Sequence, residues 1–440
     1  MRSMDKNIPV TIFWFRRDLR LDDNAGLYRA LKSGNPVLPI FIFDREILDK
    51  LEDKDDARVT FIYQTIEGIH KELQQHGSSL LILYDKAEHA WDRLLNEYNI
   101  AAVYTNHDYE PYAKDRDNAI AQKLKKHDIP FKTYKDQVIF DGDEVIKADG
   151  TPYTVYTPYM RKWYETLKAF YLKAYPTKKY FKNLLKTDHF KIPLLKEMGF
   201  EKSNMEIPGT NYEHFIKDYA DKRDYPGING TSHIGLHLRF GTVSIRELAG
   251  TANGYKEKTW LNELIWREFY MMILDHFPKT MDSAFRPEYD RIKWVNDEQQ
   301  FKAWCDGETG FPLVDAGMRE LNATGYMHNR VRMVVASFLA KDLLIDWRWG
   351  ERYFARKLLD YEMASNVGGW QWSAGCGTDA APYFRIFNPD SQLKKFDPDF
   401  VYIKKWVPEY ADFSQYPKPI IDHAFARDRC LKAFKAALAK

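Results

Sequence analysis

The chain has 440 residues, 45% of them hydrophobic, and a net charge of only +2. This length is enough for a large buried core and for two or three domains. The sequence contains no apolar run long enough to span a bilayer, and its first residues lack the apolar segment of a signal peptide. We therefore expect a cytoplasmic protein without a membrane partner, and we take it to be a monomer.

The three cysteines, Cys305, Cys376 and Cys430, lie far apart and form no CxxC pair. This pattern argues against a disulfide scaffold and a zinc site, and it fits a reducing compartment. No group of histidine, cysteine and carboxylate residues has the spacing of metal ligands either, so we expect no metal.

Charged and aromatic residues are distributed unevenly. Residues 1–130 carry 19 Lys and Arg against 22 Asp and Glu, whereas the remainder carries 46 against 41. Nine of the 12 tryptophans lie between Trp260 and Trp406. A nucleic-acid surface would therefore be a local patch in the later part of the chain, although an ordinary mixed surface explains the charge asymmetry equally well.

The first part of the chain alternates short apolar runs with helical segments. Runs typical of strands occupy Thr11–Phe15, Val37–Phe43, Leu80–Leu83, Ala101–Tyr104 and Phe131–Tyr134. Continuous apolar strands separated by helices indicate a parallel sheet that is covered on both faces. We predict a doubly wound α/β domain over residues 1–132. Its first strand is followed by Arg16–Arg20 (RRDLR) instead of GxGxxG, which argues against a dinucleotide-binding Rossmann domain.

The later part of the chain has mostly helical periodicity. Residues 133–205 contain several prolines and a Lys/Tyr-rich stretch, and we predict that they connect two domains. Amphipathic segments typical of helices follow at Trp260–His276, Phe311–Asn322, Asn329–Leu344, Arg352–Leu359 and Ala424–Leu438. We therefore predict a mostly α-helical C-terminal domain over residues 206–440.

Several motifs occur in a fixed order. Trp14–Asn24 reads WFRRDLRLDDN, and Gly325–Pro389 contains GYMHNRVRM, LLIDWRWGERYF, LLDYEMASNVGGWQW and GTDAAPYFRIFNP. Through these motifs the sequence resembles the DNA photolyase/cryptochrome family from Phe13 to about Pro408, and within it the bacterial cyclobutane pyrimidine dimer photolyases of class I. The resemblance implies an α/β antenna domain followed by a helical domain that binds FAD and DNA.

The resemblance implies a flavin site. Tyr219 and the segment Gly230-Thr231-Ser232 resemble the start of the family's FAD pocket, where hydroxyls and backbone N–H groups suit a pyrophosphate. Ile234-Gly235-Leu236 stands where relatives often have Leu-Ser-Pro, so one hydroxyl contact is missing. The residues implied in FAD binding are Tyr219, Thr231, Ser232, His233, Ile234, Gly235, Trp260, Arg267, Arg332, Asp360, Tyr361, Glu362 and Asn366.

Some of these residues are implied to tune the flavin. Arg332 and Asp360 resemble the charged pair beside the isoalloxazine ring, where a positive group helps to hold the anionic reduced cofactor, the active form. Asn366 matches the position that faces flavin N5 and presents an amide oxygen to its N–H. Glu362 keeps the carboxylate of many relatives' aspartate with one more methylene.

Trp370, Trp347 and Trp294 match the family's three-tryptophan relay from the flavin to the surface. Indole is oxidisable, and stepped hops between close rings are faster than one long jump. Each tryptophan taken singly is more often a core residue. The match at all three positions favours the relay.

The resemblance also implies a pocket for damaged DNA. Glu263 and Trp266 lie one helical turn apart. Glu263 is implied to stabilise the charge that develops on the dimer, acting as a donor if protonated. Trp266 and Trp372 resemble the walls of a pocket into which the dimer flips.

Further contacts are implied around this pocket. Asn329 is implied to contact both the lesion and the flavin and, with Glu263 and Asn366, to be catalytic. Met333 lies one turn further along the same helix face and is implied to contact the lesion. Arg223 and Arg330 resemble contacts to backbone phosphates, which position the DNA without reading its sequence.

Asn106–Ala113 aligns with the region that selects a second, antenna chromophore in the α/β domain. Tyr112-Ala113 replaces the Asn-Glu pair of folate binders. Asp108 and Glu110 resemble positions used by binders of 8-hydroxy-5-deazaflavin. The antenna is therefore left open between a deazaflavin, folate, another flavin and none.

These implications favour a light-driven enzyme in which an electron from reduced FAD splits cyclobutane pyrimidine dimers in UV-damaged DNA. Two alternatives stay open. One is a cryptochrome photoreceptor, which Glu263, Asn366 and Trp372 disfavour. The other is a (6-4) photolyase, which usually has a pair of active-site histidines where this chain has Asn329 and Met333.

Overall fold

The computed structural model describes residues 8–412 and 414–439. Within these residues the chain forms two compact units. The first unit contains residues 8–141, Leu167–Thr210 and Ile234–Thr251. The second contains Gly142–Thr166, Asn211–His233 and the described residues from Ala252 onwards.

The first unit is built on a parallel sheet of five strands. Its strands are β1 (Val10–Phe15), β2 (Val37–Asp44), β3 (Leu81–Asp85), β4 (Ile100–Asn106) and β5 (Phe131–Tyr134). Their order is β3-β2-β1-β4-β5, so the chain winds outwards in both directions from β1. Every residue of β1 and β2 is buried, as expected for strands covered on both faces. This confirms the predicted doubly wound α/β fold.

Helices connect these strands and make up most of the second unit, which confirms the predicted helical C-terminal part. The α-helices are α1 (Ala25–Leu31), α2 (Arg45–Leu48), α3 (Ala57–Gln75), α4 (Ala87–Glu97), α5 (Pro111–Lys125), α6 (Tyr156–Thr166), α7 (Glu213–Ile216), α8 (Tyr219–Lys222), α9 (Gly235–Phe240), α10 (Ile245–Gly254), α11 (Thr259–His276), α12 (Glu298–Asp306), α13 (Pro312–Thr324), α14 (Asn329–Ser337), α15 (Trp347–Lys357), α16 (Met363–Ala374), α17 (Pro389–Phe396), α18 (Val401–Trp406) and α19 (His423–Leu438). Short 3₁₀ turns occupy Ala169–Leu172, Thr177–Asn183, Leu195–Met198, Pro278–Met281, Pro287–Arg291 and Pro408–Ala411.

Two helices differ from their sequence-based bounds. The predicted helix Asn329–Leu344 is α-helical only to Ser337, and the chain continues as a π-helical turn, Phe338–Asp342. In that turn the Lys341 ammonium is buried and donates to the Arg385 carbonyl, 2.8 Å away. The predicted helix Arg352–Leu359 begins earlier, at Trp347, because Asp346 caps it by accepting from the backbone N–H of Arg348.

The WFRRDLRLDDN motif connects distant segments of the first unit. The Asn24 side chain caps α1 by accepting from the backbone N–H of Leu27. The Arg246 guanidinium lies 2.9 Å from Asp23 Oδ1 and 2.8 Å from Asp136 Oδ1. Because all three charged groups are buried, removing one partner would leave an uncompensated buried charge. The motif therefore links distant segments of the first unit. It occupies the position after β1 at which a Rossmann domain has its phosphate-binding loop.

In the second unit the largest cluster of buried side chains forms around α13, α14 and α19. Trp304 belongs to this cluster, is fully buried, and its indole N–H donates to the Val335 carbonyl 3.2 Å away. Among the described residues, no helix is long and apolar enough to cross a membrane.

Candidate functional site

A cavity of about 390 Å³ lies within the second unit. Helices α11, α14, α15 and α16 and the segment between the last two contribute its walls. Its lining contains thirteen of the residues predicted from sequence: Arg223, Glu263, Trp266, Arg267, Asn329, Arg332, Met333, Asp360, Tyr361, Glu362, Asn366, Trp370 and Trp372. The structure thus brings together residues that lie far apart in the chain.

Asn366 is held in one orientation by a buried glutamate. Its side-chain N–H₂ group donates to the Glu351 carboxylate (2.9 Å) and to the Glu351 carbonyl oxygen (3.1 Å). The amide oxygen of Asn366 therefore keeps its acceptor capacity for a group in the cavity. Burial raises the pKa of the Glu351 carboxyl. Glu351 could not be predicted from sequence, because a glutamate in an amphipathic helix is usually solvent-exposed.

Arg332 places a fixed positive charge in the cavity wall. Its Nη2 lies 2.9 and 3.1 Å from the two carboxylate oxygens of Asp360, and its Nε donates to the Met327 carbonyl at 2.7 Å. The ion pair raises the pKa of the guanidinium. Because the planar guanidinium is held on two sides, its charge stays in one place.

The segment Thr231–His233 packs against Tyr326 outside the cavity lining. The Thr231 and Tyr326 hydroxyls are 3.1 Å apart, and the His233 ring stacks on the Tyr326 ring with 3.9 Å between centroids. The Arg332 guanidinium lies 5.6 Å from the centre of the same ring. Tyr326, also missed from sequence, thus connects this segment to the charged wall.

The remaining residues predicted to bind FAD have other surroundings. Trp260 stacks on Tyr212 with 5.4 Å between ring centroids, and Tyr219 lies under the Arg223 guanidinium. Ile234 and Gly235 belong to the first unit, at the start of α9. Like Ser232, none of these is in the cavity lining, and their predicted role stays a prediction.

Aromatic rings also line the cavity, among them those of Trp266 and Trp372. Tyr156 stacks on Trp266 with 3.6 Å between centroids and 8° between planes, so that the tyrosine covers one face of the indole. The Trp372 ring lies 6.5 Å from the Phe387 ring, with 30° between their planes. Tyr156 was not predicted, since α6 lies in the segment taken as a connector.

The two arginines predicted to contact phosphates are paired with carboxylates in this structure. Arg223 forms an ion pair with Glu263. Arg330 lies 2.8 Å from Asp224 and 4.3 Å from the centre of the Phe396 ring. Arg330 is not in the cavity lining, whereas Arg223 is.

The three predicted relay tryptophans differ in burial. Trp370 and Trp347 are buried and Trp294 is half-buried. Trp370 makes edge contacts with Phe354 and Trp304, with ring centroids 5.0 and 6.0 Å apart. The predicted relay would thus begin at a ring in the cavity wall and end at one that is partly exposed to solvent, and it stays a prediction.

The carboxylates of the predicted antenna region lie in ion pairs within the first unit. Arg17 contacts Asp108 (3.1 Å) and Glu110 (2.9 Å), and Arg239 also pairs with Glu110. Burial favours the protonated form of Asp108, but the charges of Arg17, Arg16 and Arg116 outweigh it and hold the pKa of this carboxyl below its usual value. Tyr112 donates to Asp44 at 2.6 Å.

Two neighbouring glycines of α16 give a matched test of how closely this helix packs against Tyr270. A Cβ on Gly368 would overlap the Tyr270 ring, whereas a Cβ on Gly369 would meet no atom within 4 Å. We expect Gly368→Ala to lower the free energy of unfolding by about 1–2 kcal/mol through overpacking. Gly369→Ala should raise it by up to about 1 kcal/mol through helix propensity. Urea unfolding of the cofactor-free proteins measures both; equal effects would contradict the packing described.

His328 makes the stability of this region depend on pH. It is buried, it caps α14 by accepting from the backbone N–H of Arg330 (3.2 Å), and burial lowers its pKa to about 4. An unfolded histidine titrates near 6.5, so between pH 6.5 and 4 the unfolded chain binds more protons than the folded one. The free energy of unfolding should therefore fall by about 2–3 kcal/mol as the pH falls through this window.

The control for this prediction is His328→Asn, which keeps an acceptor at the cap but does not titrate. Its free energy of unfolding should fall less between pH 6.5 and 4 than that of the unaltered protein. Identical pH profiles in urea unfolding would show that His328 is not the group responsible.

Comparisons with known proteins agree with this arrangement. Residues 11–179 match the family model for DNA photolyase, and residues 260–415 match the FAD binding domain of DNA photolyase. Two curated relatives are both named deoxyribodipyrimidine photo-lyase. That of Alkalihalophilus pseudofirmus is 36% identical over 98% of this chain and 99% of its own. That of a Synechococcus strain is 37% identical over 98% of each chain.

Solved structures give the same result. An archaeal photolyase from Sulfolobus tokodaii, described with two FAD molecules, is 34% identical, with a TM-score of 0.84 over 97% of this chain and all of that one. A cryptochrome from a Synechocystis strain is 25% identical, with a TM-score of 0.84 over 98% of this chain and all of that one. From these full-length matches and the two family models, we conclude that the chain belongs to the DNA photolyase family and carries that family's FAD-binding domain.

Proposed function

We propose that this chain is a deoxyribodipyrimidine photo-lyase, which uses light to split cyclobutane pyrimidine dimers in DNA. One observation carries this proposal. Arg332 and Asn366, which suit a reduced flavin, and Glu263, Trp266 and Trp372, which suit a flipped dimer, line the same cavity. When the electron donor and the electron acceptor are bound in one cavity, the electron can pass between them without a large movement of the protein.

The volume of the cavity and the polar groups in its wall suit FAD. Its volume of about 390 Å³ falls within the range of small-molecule sites. The buried indole N–H of Trp370 has no hydrogen-bond partner within the described part of the chain. Bound FAD would supply the absorption of light and the electron in its reduced form. Arg332 would supply positive charge beside it, and the Asn366 oxygen, oriented by Glu351, would accept a hydrogen bond from the ring.

The other side of the cavity would hold the lesion. Trp266, backed by Tyr156, and Trp372 present aromatic surfaces to a flipped pyrimidine pair, and damaged bases leave the stack at lower cost than intact ones. Glu263 also lines the cavity and, when protonated, would donate to the dimer's carbonyl groups and stabilise added negative charge. Asn329 lines the cavity and can contact both bound groups. Arg223 and Arg330 would contact the phosphates.

A cryptochrome signalling role and (6-4) repair fit the site less well. A photoreceptor does not need Glu263 and two aromatic walls beside the flavin residues. On α14, the cavity positions that would carry histidines in a (6-4) enzyme are Asn329 and Met333. We further propose that the protein acts as a monomer in the cytoplasm, bound to nucleoid DNA when it repairs. The antenna chromophore stays open.

Lesion selectivity in the dark tests this proposal. The purified protein should retard an oligonucleotide that contains one cyclobutane thymine dimer far more strongly than an otherwise identical oligonucleotide with a (6-4) product or no lesion. Preference for the (6-4) product would favour the alternative repair activity. Equal binding of all three would favour a photoreceptor.

A further inference from the structure

Four charged residues form a continuous series at the edge of the cavity. Glu263 pairs with Arg223, the Arg223 Nε lies 4.0 Å from Asp224, and Asp224 pairs with Arg330 at 2.8 Å. The signs of the charges therefore alternate along the series. Both arginines that would contact DNA phosphates are already neutralised by a carboxylate, so a phosphate must compete with that carboxylate for the guanidinium.

The surroundings of Glu263 determine how the loss of Arg223 would change the charge state of its carboxyl group. The charged and titratable groups that face it are Arg223, Asp224, Tyr156, Tyr219 and Tyr270. Desolvation raises the pKa of each of these three phenols, so they stay neutral. Arg223 is thus the group in this set that favours the charged carboxylate. Arg267, the next turn of α11, also lines the cavity.

We propose that DNA binding exchanges partners in this series: a backbone phosphate takes Arg223 from Glu263, and the released carboxyl group takes up a proton from the solvent. This inference rests on the proposed function, and it adds how the site is switched on by the substrate. The exchange converts Glu263 from an ion-pair acceptor into a hydrogen-bond donor at the moment when the lesion enters. A contact to phosphate thereby prepares a contact to the base.

The direction of the proton movement follows from the environment. Burial raises the pKa of Glu263, and the charge and hydrogen bond of Arg223 oppose that rise. When Arg223 leaves, the opposing effect is lost and only desolvation and the neighbouring charge of Asp224 remain, both of which favour the protonated form. A lesion that fills the cavity removes more water and acts in the same direction.

Calorimetry of dark binding measures this exchange. The heat of binding a dimer-containing duplex would be recorded at pH 7.5 in two buffers of different ionisation enthalpy, which gives the number of protons taken up. The unaltered protein should take up measurably more protons per complex than Glu263→Gln, which cannot titrate. Asp218→Asn, which removes an exposed carboxylate next to Lys222, is the matched control and should behave like the unaltered protein.

Binding to undamaged DNA gives a second readout. Because Glu263→Gln removes the charge that competes for Arg223, this variant should bind undamaged duplex several-fold more tightly than the unaltered protein. Its logarithmic salt dependence should also be steeper by up to about one unit. Weaker binding by the variant would overturn the exchange.

The outcomes separate this inference from the proposed function. Equal proton uptake by the unaltered protein and Glu263→Gln overturns the exchange, and the proposed function stands if the same preparation still repairs dimers under blue light. Failure to bind dimer-containing DNA at all overturns both.

Discussion

Glu263→Ala is expected to lower the yield of repair per absorbed photon by about ten-fold or more, because it removes the group that stabilises added charge on the dimer. FAD should stay bound, since Glu263 is not among the residues predicted to bind the flavin, whereas Arg332, Asp360 and Asn366 in the same cavity are. Repair yield under blue light, together with flavin absorbance of the same sample, measures both effects.

Glu263→Gln is the matched control for that loss. Its amide keeps a hydrogen-bond donor of nearly the same shape, so it should retain more repair than Glu263→Ala. If the alanine variant repairs dimers at the normal yield, Glu263 has no part in the photochemical step.

Trp370→Phe should largely abolish light-driven reduction of the oxidised flavin, because phenylalanine cannot supply the electron that the indole supplies. Trp370 is the relay residue in the cavity lining, so every electron that enters by the relay passes through it. Trp294→Phe, at the half-buried end, should slow the same reaction. Anaerobic photoreduction followed by absorbance checks both.

Repair by pre-reduced enzyme separates the relay from the repair step. Trp370→Phe and Trp294→Phe should still repair dimers once the flavin has been reduced chemically. Trp406→Phe is the control, because Trp406 is a partly buried indole of the same unit whose N–H has no partner among the described residues; its photoreduction should be normal. Normal photoreduction in Trp370→Phe would mean that electrons enter by another route.

Much of the fold could be predicted because its signals are local. The apolar runs of β1, β2, β4 and β5 lie within a residue or two of the strands in the structure. The end of α14 could not be predicted. The apolar pattern continues through Phe338–Asp342, and only tertiary contacts such as that of Lys341 with Arg385 show that the helix widens there.

The residues of the site likewise fall into those that could be predicted from sequence and those that could not. Asn366 and Trp372 could be predicted because they lie in one dense motif that resembles the family's, and the structure places both on α16. Glu351, Tyr326 and Tyr156 could not, since each acts by touching a residue far away in the chain. The ion pair between Arg223 and Glu263 could not be predicted from sequence either. The motifs indicate a DNA contact for each of the two residues, but no contact between them.

Light-dependent repair by the purified, reduced protein tests whether this chain is a photolyase. An oligonucleotide with one cyclobutane thymine dimer would be incubated with the protein under blue light or in darkness, and the intact thymines would be separated and measured by chromatography. We predict that the dimer is converted to two thymines in the light, with many turnovers per protein, and persists in the dark. A dimer that persists in the light, although the protein has bound it and carries reduced FAD, would contradict the assignment.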